Sequence, residues 1–410
     1  MSNEIFLPNI YILSNGESTM KIKKMTIDNI CGIKHLDLNF NEGLNLICGE
    51  NGVGKTTIIR AIAYPFSYGE DYFIKKHFGT DKGNVNIWFT QSDEHVNYEI
   101  KDFIAGKRII SNYDYTRSNQ IIYFSSSREI PYIKIDAIKA LTNINTDDYR
   151  ISHSSSLLLT GVNHDIKNWF VNRYVYSNIK DSLDVYQKNN FELCQKIFSL
   201  LDNSLSIKTV KPDNEIIFKY KNTEIFFEML SEGYKSCVFI LLGIIKEVEY
   251  RFPEINAVDF DGIIMIDEID LHLHPQWQGK IVKVLKETFP RAQIIATTHS
   301  PSVLQNAKAE EIIPLYEDQN GDISIKELSL GEYGLQGWTL EEIMKDVMGM
   351  ESTTSELYGK IVKEFDAAMY EENKGKILES YNILKNMLHP QNPMLQLLEI
   401  QVAEWKDEND

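Results

Sequence analysis

Apolar and polar positions alternate through residues 20–47, MKIKKMTIDNICGIKHLDLNFNEGLNLI. A period of two predicts three short strands joined by turns, the last one entering a glycine-rich loop that opens a helix at Lys55. Alternation returns between residues 84 and 123, in NVNIWFT, VNYEI and QIIYF, and predicts a small, largely antiparallel sheet to one side. From about 164 to 204, Trp169, Phe170, Tyr174, Leu183, Phe191 and Ile197 recur at a spacing that suits a pair of amphipathic helices. Two strands, EIIFKY and TEIFFEM, precede a strongly apolar helix over about 232–250. A strand at 262–266, a helix after Pro275, a strand at 293–297 and a helix after Ser300 then alternate as parallel α/β sheets do. Beyond about Leu335 the pattern is helical, with Pro390 and Pro393 punctuating the last two helices.

Bulk composition narrows this picture without changing it. A chain of 410 residues, 43% hydrophobic and 25% charged, has ample material for a buried core and reads as globular. The longest apolar run, residues 237–245, is far short of the ~20 residues that span a bilayer. The first twenty residues lack a basic start followed by an apolar stretch, so a cytoplasmic protein with no membrane association is expected. Cys31, Cys48, Cys194 and Cys237 show no CxxC pairing and read as buried small apolar residues rather than zinc ligands or disulfides. A formal charge of −17 opposes any general grip on nucleic acid. DNA or RNA contact would have to be local, at Lys21, Lys23, Lys24, Lys75, Lys76 and Lys82.

The chemistry sits at the ends of strands. Gly49-Glu50-Asn51-Gly52-Val53-Gly54-Lys55-Thr56 matches GxxxxGK[ST] between a strand and a helix. Glycines there let backbone N–H groups turn inward as an anion nest at a helix N-terminus, where the macrodipole also favours phosphate. Gly49, Asn51, Gly52, Val53, Gly54, Lys55, Thr56 and Thr57 are therefore the candidate nucleotide-binding residues, with Lys55 reaching the β- and γ-phosphates of ATP. The Thr56 hydroxyl is a candidate ligand of Mg2+, a cation that prefers oxygen. Ile263-Ile264-Met265-Ile266-Asp267-Glu268 is an apolar strand that delivers two acids to the sheet edge where ligands of open α/β sheets bind. Asp267 is the second candidate metal residue, and Glu268 the candidate catalytic base for the attacking water. A further strand ends in Thr298-His299-Ser300-Pro301, which places His299 at the same edge as a candidate γ-phosphate sensor.

Leu230-Ser231-Glu232-Gly233-Tyr234 opens the apolar helix and resembles the LSGGQ signature of ABC ATPases. Phosphate loop, signature, DEIDLHLHP at 267–275 and Thr298-His299-Ser300-Pro301, in that order, resemble the RecF/SMC/OLD branch of those ATPases across about residues 20–330. The resemblance implies a dimer, or a higher oligomer, in which Ser231 and Gly233 of one subunit contact the γ-phosphate held by the other. It divides the chain into the first half of an ABC head (1–132), a helical and strand insertion (133–228), the second half of the head (229–332) and a helical partner-docking region (333–410). The expected fold class is α/β: a mixed or parallel core sheet, an antiparallel side lobe, a helical insertion and C-terminal helices.

Three features depart from the family pattern. Glu232 replaces a glycine and should point away from a triphosphate. No Q-loop glutamine follows the QIIYF strand, where a serine of Ser125-Ser126-Ser127 or Arg128 would have to substitute. Only 175 residues separate Lys55 from Leu230, so the long arms of SMC proteins are absent. His272 and His274 have an HxH spacing but no sequence partners for a metal, and His274 before Pro275 suits a helix start.

The tail lacks the acid pattern of the Toprim nuclease domain that OLD proteins attach. A helical tail after an ABC head looks most like the ATPase subunits of Septu and retron anti-phage systems, whose nuclease is a separate HNH protein. That resemblance implies an ATPase that regulates a partner nuclease in antiviral defence. A RecF-like repair ATPase and an ATP-stabilised scaffold with little turnover are the alternatives.

Overall fold

A computed structural model of the chain describes residues 20–67, 73–90, 95–101, 115–128, 134–138, 146–162 and 165–405. The first nineteen residues, on which the absence of a signal was read, lie outside these. The chain divides into two compact units, 1–349 and 350–410.

The first unit opens with β1 (Ile22–Ile30), β2 (Ile33–Asn39) and β3 (Leu44–Gly49), followed by α1 (Lys55–Ala63), as the alternation predicts. β4 (Gly83–Phe89) and β5 (His95–Ile100) complete an antiparallel sheet in the order β2-β1-β4-β5. β6 (Ile121–Phe124) corrects the expectation, because QIIYF does not join that side sheet. All four of its residues are buried, the mark of a strand covered on both faces rather than one half-exposed in a side lobe.

The insertion holds α2 (Asp147–Thr160), α3 (Ile166–Ser177) and α4 (Val185–Leu201), then an antiparallel sheet of β7 (Leu205–Val210), β8 (Ile216–Tyr220) and β9 (Thr223–Phe226). α5 (Glu232–Arg251), β10 (Ile263–Ile266), α6 (Pro275–Thr288), β11 (Gln293–Thr297) and the single turn α7 (Pro301–Leu304) follow in the expected alternation. β12 (Ile312–Glu317) and β13 (Ile323–Ile325) close the core sheet, whose order is β13-β12-β3-β11-β10-β6. Its pairings are parallel except at the β12–β13 edge.

Alternate side chains of the core sheet serve two separate cores, as a period of two requires. Leu44, Leu46, Phe124, Ile264, Ile266 and Ile294 pack against α3 to α6. Ile47, Tyr123, Ile263, Met265 and Ile295 face the opposite way, against α1 and the antiparallel sheet. The first unit is thus layered, with β3, β6, β10 and β11 buried along their whole length, and the strand ends that carry charge emerge along one edge.

The helical turn α8 (Leu340–Glu342) continues as a π-helix over Ile343–Val347. Leu335, Ile343 and Val347 are buried in the first of those cores. The compact head therefore extends to 349, beyond the boundary expected after 332. The second unit consists of α9 (Glu356–Tyr370), α10 (Lys374–Met387) and α11 (Pro393–Val402), packed through Ile361, Phe365, Ile377, Tyr381 and Leu398. No helix among the described residues is long and apolar enough to cross a membrane.

Candidate active site

The phosphate loop follows β3 with Gly49, Gly52 and Gly54 at φ 135°, 88° and 86°, a left-handed backbone that residues with a Cβ rarely adopt. Asn51 and Gly52 are exposed while Val53 is buried and anchors the loop. Lys55 is 5% exposed, and its ammonium donates to the carbonyls of Gly49 at 2.9 Å and Glu50 at 2.6 Å. Burial lowers its pKa, against the opposing pull of Cys48, Glu268, Asp267 and Asp270. Among the described residues this buried cation bonds to carbonyl dipoles, with acids close by.

The acids stand where β10 ends. The Thr56 hydroxyl donates to Asp267 Oδ1 at 3.1 Å, so the two candidate metal residues are neighbours. Asp267 Oδ1 also accepts from Thr297 Oγ1 at 2.7 Å, while its Oδ2 is buried and has no hydrogen-bond partner among the described residues. A buried carboxylate oxygen left unmatched is costly unless something cationic or a donor meets it. A hydroxyl beside that carboxylate is a hard-oxygen donor set of the kind Mg2+ takes.

Glu268 is half-buried and adopts φ 52°, uncommon for a residue with a side chain. Its N–H donates to Thr297 Oγ1 at 2.7 Å. His299 is half-buried; burial lowers its pKa, and the Lys55 charge lowers it further. Asp270 Oδ1 accepts from Thr298 Oγ1 at 2.6 Å and from the His299 N–H at 3.1 Å, fixing the backbone that carries the imidazole. Thr297 and Asp270 are structural partners that the motif reading did not single out. Their signal was a threonine closing one strand and an acid two residues after the acid pair of the next.

Arg128 is 3% exposed and turns inward, donating to the carbonyls of Ser125 at 3.2 Å, Asp267 at 2.7 Å and Glu268 at 2.5 Å. Ser125 Oγ donates to the Thr160 carbonyl. Neither side chain is directed outward as a replacement for a Q-loop glutamine.

Ser231 is the N-cap of α5, its hydroxyl accepting from the Tyr234 N–H at 3.3 Å. Ser231 and Glu232 are exposed, with Glu232 paired to Lys235 at 2.6 Å. Gly233 is buried: a Cβ there would lie 3.0 Å from the His272 carbonyl oxygen and 3.1 Å from the His274 nitrogen. The signature helix thus rests on the loop after the acid pair. His274 caps α6, its Nδ1 accepting from the Gln276 N–H.

Three of the lysines named for nucleic-acid contact, Lys24, Lys76 and Lys82, have partners within the fold. Lys24 pairs with Asp37 at 3.3 Å, Lys82 pairs with Glu99, and Lys76 donates to the Thr80 carbonyl at 2.5 Å.

Fold and site together define a P-loop protein of the ATPase class, a layered α/β head with its acids, threonines and histidine gathered at the ends of adjoining parallel strands. Residues 44–305 match the family described as "AAA domain, putative AbiEii toxin, Type IV TA system". The Septu protein PtuA of Bacillus thuringiensis is 43% identical over 397 residues, covering 94% of this chain and 98% of that protein. The Retron Ec83 probable ATPase of Escherichia coli is 27% identical over 47% of this chain and 35% of that protein. The Smc head domain from Pyrococcus furiosus, solved with the C-terminal domain of ScpA, aligns at TM-score 0.47 and 16% identity, over 80% of this chain and 99% of that one. The chain belongs to this AAA family and, within it, to the Septu PtuA proteins.

Proposed function

We propose that the chain hydrolyses ATP at this edge, dimerises over the bound nucleotide, and through that dimer regulates a separate HNH-type nuclease in antiviral defence. The linked chain Thr56–Asp267–Thr297–Glu268 carries the reading, because it ties the phosphate loop to both acids through hydroxyls. The loop N–H groups and Lys55 bind the β- and γ-phosphates. Mg2+, when bound, neutralises phosphate charge, and Thr56 and Asp267 would hold it. Glu268 orients a water and takes its proton as the water oxygen bonds to the γ-phosphorus and the bond to the bridging oxygen breaks, leaving ADP and phosphate. Neutral His299 supplies one hydrogen bond to the γ-phosphate or that water. Exposed Ser231 supports a contact in trans at a helix N-terminus, and Gly233 contributes by letting the helix sit close on residues 272–274. The helical second unit docks the nuclease.

Glu268→Gln tests this, because the amide keeps size and hydrogen bonding but cannot accept the proton. ATP affinity should be retained while turnover falls by the ~10²–10⁴ of a lost general base. Trapped ATP should then shift the chain towards dimer in size-exclusion chromatography. Adding Ser231→Arg should restore the monomer without abolishing ATP binding. Hydrolysis by Glu268→Gln at the native rate, or assembly indifferent to ATP, would refute the sandwich.

A further inference from the structure

We propose that Arg128 is a positioning residue for hydrolysis: from β6's end it clamps the backbone of Asp267 and Glu268 and so fixes where the Glu268 carboxylate points. Three observations meet there. The guanidinium is buried and spends its donors on main-chain oxygens, reaching Asp267 O at 2.7 Å and Glu268 O at 2.5 Å. Glu268 holds a left-handed φ of 52°, a conformation that persists only where surrounding contacts over-determine it. The other polar group of the same peptide backbone, the Glu268 N–H, is taken by Thr297 Oγ1 at 2.7 Å. Both main-chain groups of Glu268 are therefore met by side chains from either side of β10, Thr297 of β11 and Arg128 just past the end of β6, and the Leu271 N–H donates to the same carbonyl at 2.9 Å.

A structural role alone does not account for the choice of residue. Burying a full positive charge among carbonyls is expensive, and burial pushes the Arg128 pKa down to about 10. Its Nε is buried with no partner among the described residues, so the site spends a charged fork on main-chain carbonyls, those of Asp267 and Glu268 adjacent, and leaves that donor unmatched. A planar fork suits this task because it grips two acceptors at fixed spacing, which a lysine cannot do. The fork also links the end of an edge strand to the acid pair at the point where the family pattern would put a phosphate-facing glutamine. In this chain the position acts on the base from behind instead of on the nucleotide from the front.

This role presupposes that Glu268 orients the water, and a double-mutant cycle separates the two ideas. In the full chain, Arg128→Lys keeps the charge and loses the fork. ATP affinity should stay within about 3-fold, while turnover drops by about 10²-fold, the scale of a misplaced catalytic group. In the Glu268→Gln background the same change should add little, because the group being positioned is already inert. Arg128→Gln, which loses the charge as well, should behave alike and serves if the lysine variant fails to fold. Native turnover in either folded variant overturns the clamp, as does a loss that multiplies undiminished onto Glu268→Gln. An equal loss of ATP affinity also overturns it, showing a general role in the loop. If Glu268→Gln itself hydrolyses normally, the assignment of the base fails first and the clamp falls with it.

Discussion

Lys55 sits in a loop that already satisfies it. Its ammonium bridges the Gly49 and Glu50 carbonyls, so two main-chain dipoles orient the charge offered to a phosphate. Lys55→Ala should remove the one mobile positive charge over the β/γ bridge and abolish ATP binding, as read by titration calorimetry. Unchanged affinity would remove Lys55 from the site. His299 gives a pH test whose sign follows from its surroundings. Burial, then the Lys55 charge, hold its pKa below the ordinary 6.5, so the imidazole is neutral at pH 7 and protonates only on stronger acidification. Turnover should therefore be level through neutrality and fall on an acid limb below that value. His299→Gln, which hydrogen-bonds but does not titrate, should lower turnover and erase the limb; a limb that survives unchanged would assign the proton elsewhere.

At the scale of elements, patterns with a strong local cause were legible. β3 with its glycine loop, β10 with its acid pair and β11 with its threonine all announce themselves, because short, mostly apolar runs bounded by glycine and polar residues fit buried strands that end in a site. The strands β7, β12 and β13 escaped, and a fourth was placed wrongly. β12 contains Pro314, which cannot donate to a ladder and so disguises a core strand. β7, LSIKTV, is half-exposed and short, and borders a long helix. β6 was seen but assigned to the side sheet, since sheet membership depends on partners far along the chain: its register is with Ile263–Ile266. The same non-locality hid the functions of Arg128 and Thr297, which are defined by main-chain groups more than a hundred and about thirty residues away. Gly233 is an intermediate case, read for a nucleotide contact and found packed on the loop at 272–274. Gly233→Ala should push that loop away from α5 at a cost of about 1–3 kcal/mol, seen as a lower melting temperature, and should weaken ATP-driven dimerisation. A variant that melts and assembles like the native chain would show that the close approach is not needed.

For the whole molecule, the division at 349 makes a sharper test than composition could. A head cut at 332, where the signature-bearing half was expected to end, would lose Leu335, Ile343 and Val347, all buried in the core that α5 and α6 share with the sheet. Burial of each such side chain contributes roughly 1.5–3 kcal/mol. Three of them amount to a large part of the ~5–15 kcal/mol that holds an average domain folded. Their loss also bares the apolar surface they covered, and the Gln305 side chain loses the Trp338 carbonyl it donates to at 2.7 Å. Cutting after 349 removes a unit with its own core of Phe365, Ile377, Tyr381 and Leu398 and leaves the head's core whole. The chain ending at 349 should therefore stay soluble, melt within a few degrees of the full protein and bind ATP with native affinity. The chain ending at 332 should aggregate or melt far lower. If the second unit is the docking surface, the 349 truncation should also hydrolyse ATP normally while no longer retaining the nuclease in a pull-down from co-expressing cells. Retention of the nuclease by residues 1–349 would move the docking surface onto the head, and a collapse of solubility at 349 would mean that the helices are required for the fold of the head itself.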